Sequence, residues 1–179
     1  MTDYDAVVYD LDGTLVHLAV DWDVVARDVR SVYESTAVEP PGGGLWELLE
    51  RASEFDVAAD VEAAIASHER DGARNSRRLA RADELLELTV PVGVCSLNCE
   101  AACRLALDEH GLADAVDVVI GRDTVANQKP HPEPLLEAVD ELGVAPEQAL
   151  FIGDSASDKQ TADRAGVAFE YARRSSLDV

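Results

Sequence analysis

The sequence predicts an α/β fold, in which a doubly wound parallel sheet of five strands carries a small helical cap inserted after the first strand. From residue 90 onward, short apolar runs alternate with helical segments, which is typical of parallel strands joined by crossover helices. Before that point, about 60 to 70 residues of helical pattern follow the first apolar run, whereas most connections span about 2–6 residues. We therefore predict an α/β core of residues 1–15 and 89–179 and a helical cap of residues 16–88.

The first strand is predicted at residues 6–9, where an apolar run too short for a helix precedes a turn at Gly13. Asp10 and Asp12 follow this run, and carboxylates two residues apart on a strand point to the same face. Paired carboxylates beside a glycine turn favour a hard cation. A plain Asp-Gly turn is the alternative interpretation.

The cap segment is predicted to be helical. Apolar spacing and residue propensity place helices at residues 22–35, 45–55, 57–68 and 73–88. Five arginines lie between positions 70 and 81, and four of them would share one helical face, namely Arg74, Arg77, Arg78 and Arg81. We interpret this as a solvated face that pairs with acidic neighbours. An anion contact carried by the cap is the alternative.

Strands and helices alternate through the rest of the chain. The other four strands are predicted at residues 90–96, 116–120, 149–152 and 167–171. Helices are predicted at residues 98–110 and 133–142, and a third ends at Ala165, with Asn98 as the cap of the first. A glycine terminates each helix, at Gly111, Gly143 and Gly166. The tail from residue 173 is expected to be a short helix or frayed.

The charge balance limits the classes of partner. The chain has 36 acidic and 15 basic residues, a formal net charge of -21. Such a surface repels nucleic acid and anionic lipid, so neither nucleic acid nor a membrane is expected as a partner. No apolar stretch is long enough to span a membrane, and no basic and apolar leader opens the sequence. We expect a cytoplasmic protein, and its acidic, lysine-poor composition favours a halophilic, high-salt cytoplasm.

The three cysteines are Cys95, Cys99 and Cys103. Their odd number gives no disulfide framework. We interpret them as buried structural thiols, and a soft-metal site on one helical face is the alternative.

Polar side chains follow four of the predicted strands. Because the carboxyl ends of parallel strands meet at one edge of a sheet, these side chains should converge on one site. They are Asp10 and Asp12, Ser96, Lys129, and Asp154 with Asp158.

These four motifs resemble those of the haloacid dehalogenase superfamily, in its phosphatase branch. The segment from Lys129 to Pro134 and the helical insert after the first motif resemble the subgroup that contains phosphoglycolate phosphatase and β-phosphoglucomutase. The resemblance implies a Rossmann-like core in which the first and fourth strands are neighbours. It also implies a hydrolase that acts on phosphate esters through an aspartyl phosphate.

A carboxylate can attack a phosphate ester only if cations offset the repulsion between their charges. On this basis Asp10 is the expected nucleophile, and Mg²⁺ is the expected cofactor, held by Asp10, the main-chain carbonyl of Asp12 and Asp154. Asp12 would also protonate the leaving group and then activate water. Its presence disfavours a dehalogenase or a phosphonatase.

The remaining positive charge would come from Lys129. Ser96 and the backbone N–H groups that follow it, at Leu97 and Asn98, would hold a phosphoryl oxygen. Asp158 either completes the surroundings of the metal or orients Lys129, and helix capping is its third interpretation. Thr14 would steady the Asp12 backbone by a hydrogen bond, or is a plain turn residue.

The function predicted from the sequence is Mg²⁺-dependent hydrolysis of a small phosphorylated metabolite. A sugar phosphomutase of the same family and a non-catalytic protein that binds a phosphometabolite are the alternatives. The sequence leaves the substrate open, because selectivity should come from the cap. It equally leaves open whether the protein is a monomer or a homodimer.

The acidic surface generates a first prediction. The thermal unfolding midpoint should rise steeply between dilute buffer and molar KCl, because dense counterions screen the repulsion among the acidic side chains. Scanning calorimetry over a KCl series measures this rise. A flat response would show that the acidic charges are neutralised within the protein.

Overall fold

The computed structural model describes residues 4–36 and 38–172. Its main sheet has five strands, whose bounds are β1 (Ala6–Tyr9), β4 (Val92–Cys95), β5 (Val118–Ile120), β6 (Ala149–Gly153) and β7 (Ala168–Tyr171). All of them pair in parallel, in the order β5-β4-β1-β6-β7. The five predicted strands are thereby confirmed, and β1 lies at the centre between β4 and β6.

Helices cover both faces of the sheet. Among the described residues, the helices that pack on the sheet include α4 (Arg81–Leu85), α5 (Glu100–Glu109), α6 (Glu133–Glu141) and α7 (Ala156–Ala165). Alternate residues of β1 divide between the two faces. Val7 and Tyr9 pack in one apolar cluster with residues of α4 and α5, and Val8 packs in the other with residues of α6 and α7. The fold is therefore the doubly wound α/β fold that the sequence predicts.

The segment after β1 adds three further helices, α1 (Trp22–Ser35), α2 (Leu45–Arg51) and α3 (Ala58–Arg74). Helix α1 has the predicted bounds, and the Asp21 side chain caps it by accepting from the N–H groups of Asp23 and Val24. The predicted helix at 45–55 is an α-helix only to Arg51, after which a 3₁₀ turn continues to Phe55.

A separate apolar cluster joins α1, α2 and α3. Its buried members run from Val25 to Ile65. The two residues Ala66 and Ala73, further along α3, belong instead to the cluster of the sheet, as do Ala82 and Leu85 of α4. Helix α3 therefore contributes to two apolar clusters, one in the cap and one against the sheet. The boundaries of the cap at residues 16 and 88 stay a prediction.

Two predicted cap helices are wrong. The sequence predicts separate helices at residues 57–68 and 73–88, but α3 continues through Gly72 to Arg74. A Cβ at Gly72 would lie 2.4 Å from Val20 Cγ2, so a residue without a side chain lets the helix pack closely on the chain entering the cap. A short strand β3 (Arg77–Arg78) follows, antiparallel to β2 (Val16–His17).

The arginines at 74–81 accordingly do not share a helical face. They are distributed over the end of α3, the strand β3 and the start of α4. Their interpretation as partners of acidic residues is nonetheless confirmed for three of them. Arg74 pairs with Asp71 at 2.8 Å, Arg78 pairs with Asp83 at 2.6 Å, and Arg81 pairs with Glu84 and Glu170.

The other core elements follow the predicted pattern with small differences. Asn98 does not cap α5, because that helix starts at Glu100 and its N-cap residue is Cys99. Gly111, Gly143 and Gly166 have positive φ angles just beyond their helices, as terminating glycines do. No helix in residues 4–36 and 38–172 is long and apolar enough to cross a bilayer. The tail from residue 173 lies outside the described residues.

The cysteines are buried and free, as predicted. Burial raises the pKa of Cys95 to about 12 and that of Cys99 to about 11. The thiol form therefore prevails at neutral pH. Within residues 4–36 and 38–172, no cysteine belongs to a group of three or more potential metal ligands, which disfavours the alternative of a soft-metal site.

A buried hydroxyl in the cap generates the second prediction. Tyr33 Oη, on α1, donates to the Leu48 carbonyl oxygen of α2 at 2.6 Å. Tyr33→Phe should lower the free energy of unfolding by about 0.5–1.5 kcal/mol, because the carbonyl loses its donor. Urea titration of that variant and of the control Tyr171→Phe, at a 52% exposed position, measures the difference. Equal losses of unfolding free energy in the two variants would show that the hydrogen bond from Tyr33 to Leu48 does not stabilise the cap.

Candidate active site

The predicted polar residues converge at the carboxyl ends of three adjacent strands. Asp10 follows β1, Ser96 follows β4 and Asp154 follows β6. From β1 the chain reaches β4 and β5 on one side of the sheet before it crosses to β6 and β7 on the other. The site therefore lies at the topological switch point, where ligands bind in open α/β sheets.

Lys129 lies at the centre of the site. It comes from the loop after β5 and is 6% exposed. Its Nζ donates to Asp10 Oδ1 at 2.8 Å, to Asp158 Oδ1 at 2.5 Å and to the Cys95 carbonyl oxygen at 3.1 Å. Burial alone would lower its pKa, but the charges of the two carboxylates outweigh it and raise the pKa. Lys129 is therefore a permanent cation between two carboxylates.

Asp158 has two of its three predicted roles at once. One carboxylate oxygen accepts from Lys129, and the other accepts from the Ser155 N–H at 3.0 Å and the Ser155 hydroxyl at 2.6 Å. Ser155 Oγ in turn accepts from the Asp158 N–H at 3.1 Å, which completes a capping box at the start of α7. Asp158 thus both orients Lys129 and fixes the helix from which it comes.

Three carboxylates come close enough to share one cation. Ligand oxygens of Asp10, Asp154 and Asp158 lie within 4.8 Å of one another. Burial raises the pKa of Asp10 to about 7, because the cost of desolvating its carboxylate outweighs the attraction of Lys129. A divalent cation would supply the positive charge that such a cluster needs. Both Asp158 oxygens already accept hydrogen bonds, so Asp158 is poorly suited to bind the ion directly.

Asp12 is oriented differently from Asp10. Its Oδ1 accepts from the Leu18 N–H at 2.9 Å and lies 3.6 Å from His17 Nδ1. Burial raises the pKa of this carboxyl, although the hydrogen bond from Leu18 opposes the shift. Its carboxylate is not part of the three-carboxylate cluster, and it lines the cavity in front of that cluster.

The loop after β4 makes an internal hydrogen-bonded turn. Ser96 Oγ donates to Asn98 Oδ1 at 3.0 Å and accepts from the Asn98 N–H at 3.1 Å. Leu97 and Asn98 line the cavity, whereas Ser96, which is 3% exposed, is not among its described lining residues. Within this loop, Leu97 and Asn98 therefore face a ligand in the cavity more directly than Ser96 does.

Thr14 does not behave as predicted. Its hydroxyl is buried and has no hydrogen-bond partner among residues 4–36 and 38–172. The expected hydrogen bond to the Asp12 backbone is therefore not formed. The plain turn role, the alternative, is the one that fits.

A cavity of about 570 Å³ opens in front of the carboxylates. Its other wall comes from the cap and includes Trp22, Ala26, Arg30 and Trp46. These four residues were not predicted from the sequence. One signal was present, since Trp22 and Trp46 are the two tryptophans of the chain and each lies at the start of a cap helix. Their rings pack with centroids 5.7 Å apart.

Comparison with known proteins agrees with this geometry. Residues 79–172 match the family described as haloacid dehalogenase-like hydrolase. The chain is 34% identical to a phosphoglycolate phosphatase of Rhodospirillum rubrum, covering 90% of this chain and 76% of the relative. It is 31% identical to a phosphoglycolate phosphatase of Escherichia coli K12, covering 92% and 79%. Among solved structures, a HAD-superfamily hydrolase of subfamily IA from Geobacter sulfurreducens superposes with a TM-score of 0.63 at 25% identity, covering 93% and 88%.

The turn after β1 generates the third prediction. Gly13 has a φ of +88°, and a Cβ there would lie 2.3 Å from Asp154 Oδ2. Gly13→Ala should displace Asp154 and weaken binding of a divalent cation. The measurement is the rise in unfolding midpoint that Mg²⁺ causes by binding the folded state.

Gly111→Ala is the matched control for this variant. Gly111 also has a positive φ, +66°, but a Cβ added there would have no heavy atom within 4 Å beyond its own chain neighbours. Both variants bear the backbone strain of a side chain at positive φ, so only Gly13→Ala should lose the response to Mg²⁺. An undiminished response in Gly13→Ala would contradict the predicted role of Asp154.

Proposed function

This chain belongs to the haloacid dehalogenase-like hydrolases, and from that premise we propose that it is a Mg²⁺-dependent phosphatase for a small phosphate monoester. The observation that carries the proposal is Lys129, held between Asp10 and Asp158 beside Asp154. This arrangement combines a nucleophile, a fixed cation and a set of oxygen ligands at one point. Those are the groups that phosphoryl transfer requires.

Asp10 is the proposed nucleophile. Its carboxylate attacks phosphorus, the bond to the leaving oxygen breaks, and an aspartyl phosphate forms. Lys129 offsets the charge repulsion during this attack, since its Nζ lies 2.8 Å from Asp10 Oδ1. Asp10, Asp154 and the main-chain carbonyl of Asp12 would hold Mg²⁺, which supplies further positive charge to the phosphoryl oxygens.

Asp12 is the proposed acid and base. Burial raises its pKa, and a raised pKa makes a carboxyl a better proton donor near neutral pH. The Leu18 N–H holds it at the cavity wall. In the first step it gives its proton to the leaving alkoxide. In the second step it takes a proton from the water that hydrolyses the aspartyl phosphate.

The substrate proposal draws on the relatives and on the cap wall. The two relatives above are phosphoglycolate phosphatases, so phosphoglycolate is the substrate we propose to test first. It carries a carboxylate as well as a phosphate. Arg30 in the cap wall offers a cation to a second anionic group, and its Nη2 also donates to the Gly43 carbonyl oxygen at 2.8 Å. Cytoplasmic location and a monomeric or homodimeric state stay predictions.

The fourth prediction tests the mechanism. Asp12→Asn keeps the nucleophile but loses the proton donor and acceptor, so steps that need proton transfer should slow by about 10² to 10⁴. With an aryl phosphate, whose leaving group needs little protonation, formation of the aspartyl phosphate should slow less than its hydrolysis. Rapid mixing should therefore show a burst of aryl alcohol, and intact-protein mass spectrometry should show one added phosphate.

Asp10→Asn is the control in the same experiment. It should give neither the burst nor the mass increase, because an amide is a far poorer nucleophile. Phosphate on Asp10→Asn would place the nucleophile elsewhere. Simultaneous release of alcohol and phosphate by Asp12→Asn at the wild-type rate would show that Asp12 is not the acid and base. Product analysis with a hexose 1-phosphate distinguishes a hydrolase from a mutase.

A further inference from the structure

A second buried ion pair lies beside the site, between the cap and the core. Glu69 on α3 has no exposed surface, and the side chain of Arg122, in the loop after β5, is 4% exposed. Arg122 Nη1 donates to Glu69 Oε1 at 2.6 Å, and Nη2 donates to Oε2 at 3.0 Å. This is the two-pronged geometry that a guanidinium and a carboxylate favour.

The Glu69 carboxylate also holds the loop that faces the cavity. It accepts from Asn98 Nδ2 at 3.2 Å and from the Cys99 N–H at 3.0 Å. A carboxylate can only accept hydrogen bonds, so it fixes the amide of Asn98 with the NH₂ group towards Glu69. The amide oxygen is thereby turned to the hydroxyl of Ser96. One cap residue thus sets the orientation of two side chains in the loop.

Arg122 holds the same loop from the core side. Its Nη1 donates to the Leu97 carbonyl oxygen at 2.7 Å, and its backbone N–H donates to the Asn98 carbonyl oxygen at 2.9 Å. Together with Glu69, it contacts the backbone of three consecutive residues, Leu97, Asn98 and Cys99. The first two of these line the cavity.

The guanidinium of Arg122 reaches the cap at two further points. Its Nη2 and Nε donate to Glu62 at 2.6 and 3.1 Å, and Glu62 lies on α3 like Glu69. Its central carbon lies 6.0 Å from the centroid of the Trp46 ring, and Trp46 is part of the cavity wall. The guanidinium of Arg122 therefore contacts both the loop after β4 and the cap residues Glu62 and Trp46.

Stability alone is a weak explanation for such a pair. Desolvating two charges can cost as much as their attraction returns, and apolar residues of similar volume often stabilise a protein equally well. Their contacts instead converge on the backbone and amide of the loop at 97–99. We infer that Glu69 and Arg122 are positioning residues, which fix this loop for binding of the phosphoryl group. The inference rests on the proposed phosphatase function.

The test uses the conservative variants Glu69→Gln and Arg122→Lys. Each keeps much of the side-chain volume but cannot make all of the contacts above. In the presence of Mg²⁺, the Kd for inorganic phosphate and the KM for p-nitrophenyl phosphate should both rise by about tenfold or more, since small displacements of binding groups carry large penalties.

Arg81→Lys and Glu170→Gln are the matched controls. They alter a second Arg–Glu pair, in which the Arg81 side chain is 13% exposed and also bonds Glu84. Both controls should keep the wild-type Kd and KM. If Glu69→Gln and Arg122→Lys lower only the unfolding midpoint and keep the wild-type Kd, the inference is overturned.

The double variant Glu69→Leu/Arg122→Met separates positioning from folding. It replaces the pair by apolar side chains, so it should unfold near the wild-type midpoint and still bind phosphate about tenfold more weakly. A wild-type Kd in the double variant, or failure of all three variants to fold, would assign the pair to stability and overturn the inference. A wild-type protein that binds phosphate but hydrolyses no ester would contradict the proposed function instead, and the Kd comparison would still decide the role of the pair.

Discussion

The contact on which the rest of the site depends is the ammonium group of Lys129 between Asp10 and Asp158. It joins the end of β1, the loop after β5 and the first turn of α7. Buried carboxylates at the end of a strand repel one another unless a cation lies among them. Because Asp158 also caps α7 through Ser155, the same ion pair that holds the proposed nucleophile, Asp10, also involves the residue that fixes the start of a helix. The chemistry and the local fold therefore share one set of hydrogen bonds.

The cap contributes to the site in two physically different ways. Helices α1 and α2 supply the aromatic and cationic wall of the cavity. Helix α3 does not line that cavity, but it reaches the core through Glu69, whose carboxylate meets the loop after β4. The wall of the cavity and the contacts to the loop after β4 are thus supplied by separate parts of one insertion.

Most features that were predicted correctly depend on patterns among neighbouring residues in the sequence. The run before Asp10 is apolar and short, so the strand and the polar residues at its end could be read from adjacent positions. Contacts between residues far apart in the sequence could not be predicted from such local patterns. The predicted break between residues 68 and 73 is wrong, and the packing of Gly72 against Val20, which accompanies the continuous helix, is not visible in the sequence. Asn98 has the residue type of a helix cap, yet its amide is bound by Glu69, 29 positions away. Arg122 gave no local signal, because its partners lie far from it along the chain.

The division of α3 between two apolar clusters has a consequence for protein engineering. Residues up to Ile65 pack within the cap, whereas Ala66 and Ala73 pack with the sheet. A chimaera that takes its cap from a relative would need its splice near Ile65, in the middle of the helix. A splice at the end of the helix would also exchange Glu69 and the surface that meets α5. The part of the chain that packs only within the cap is therefore shorter than the insertion predicted from the sequence.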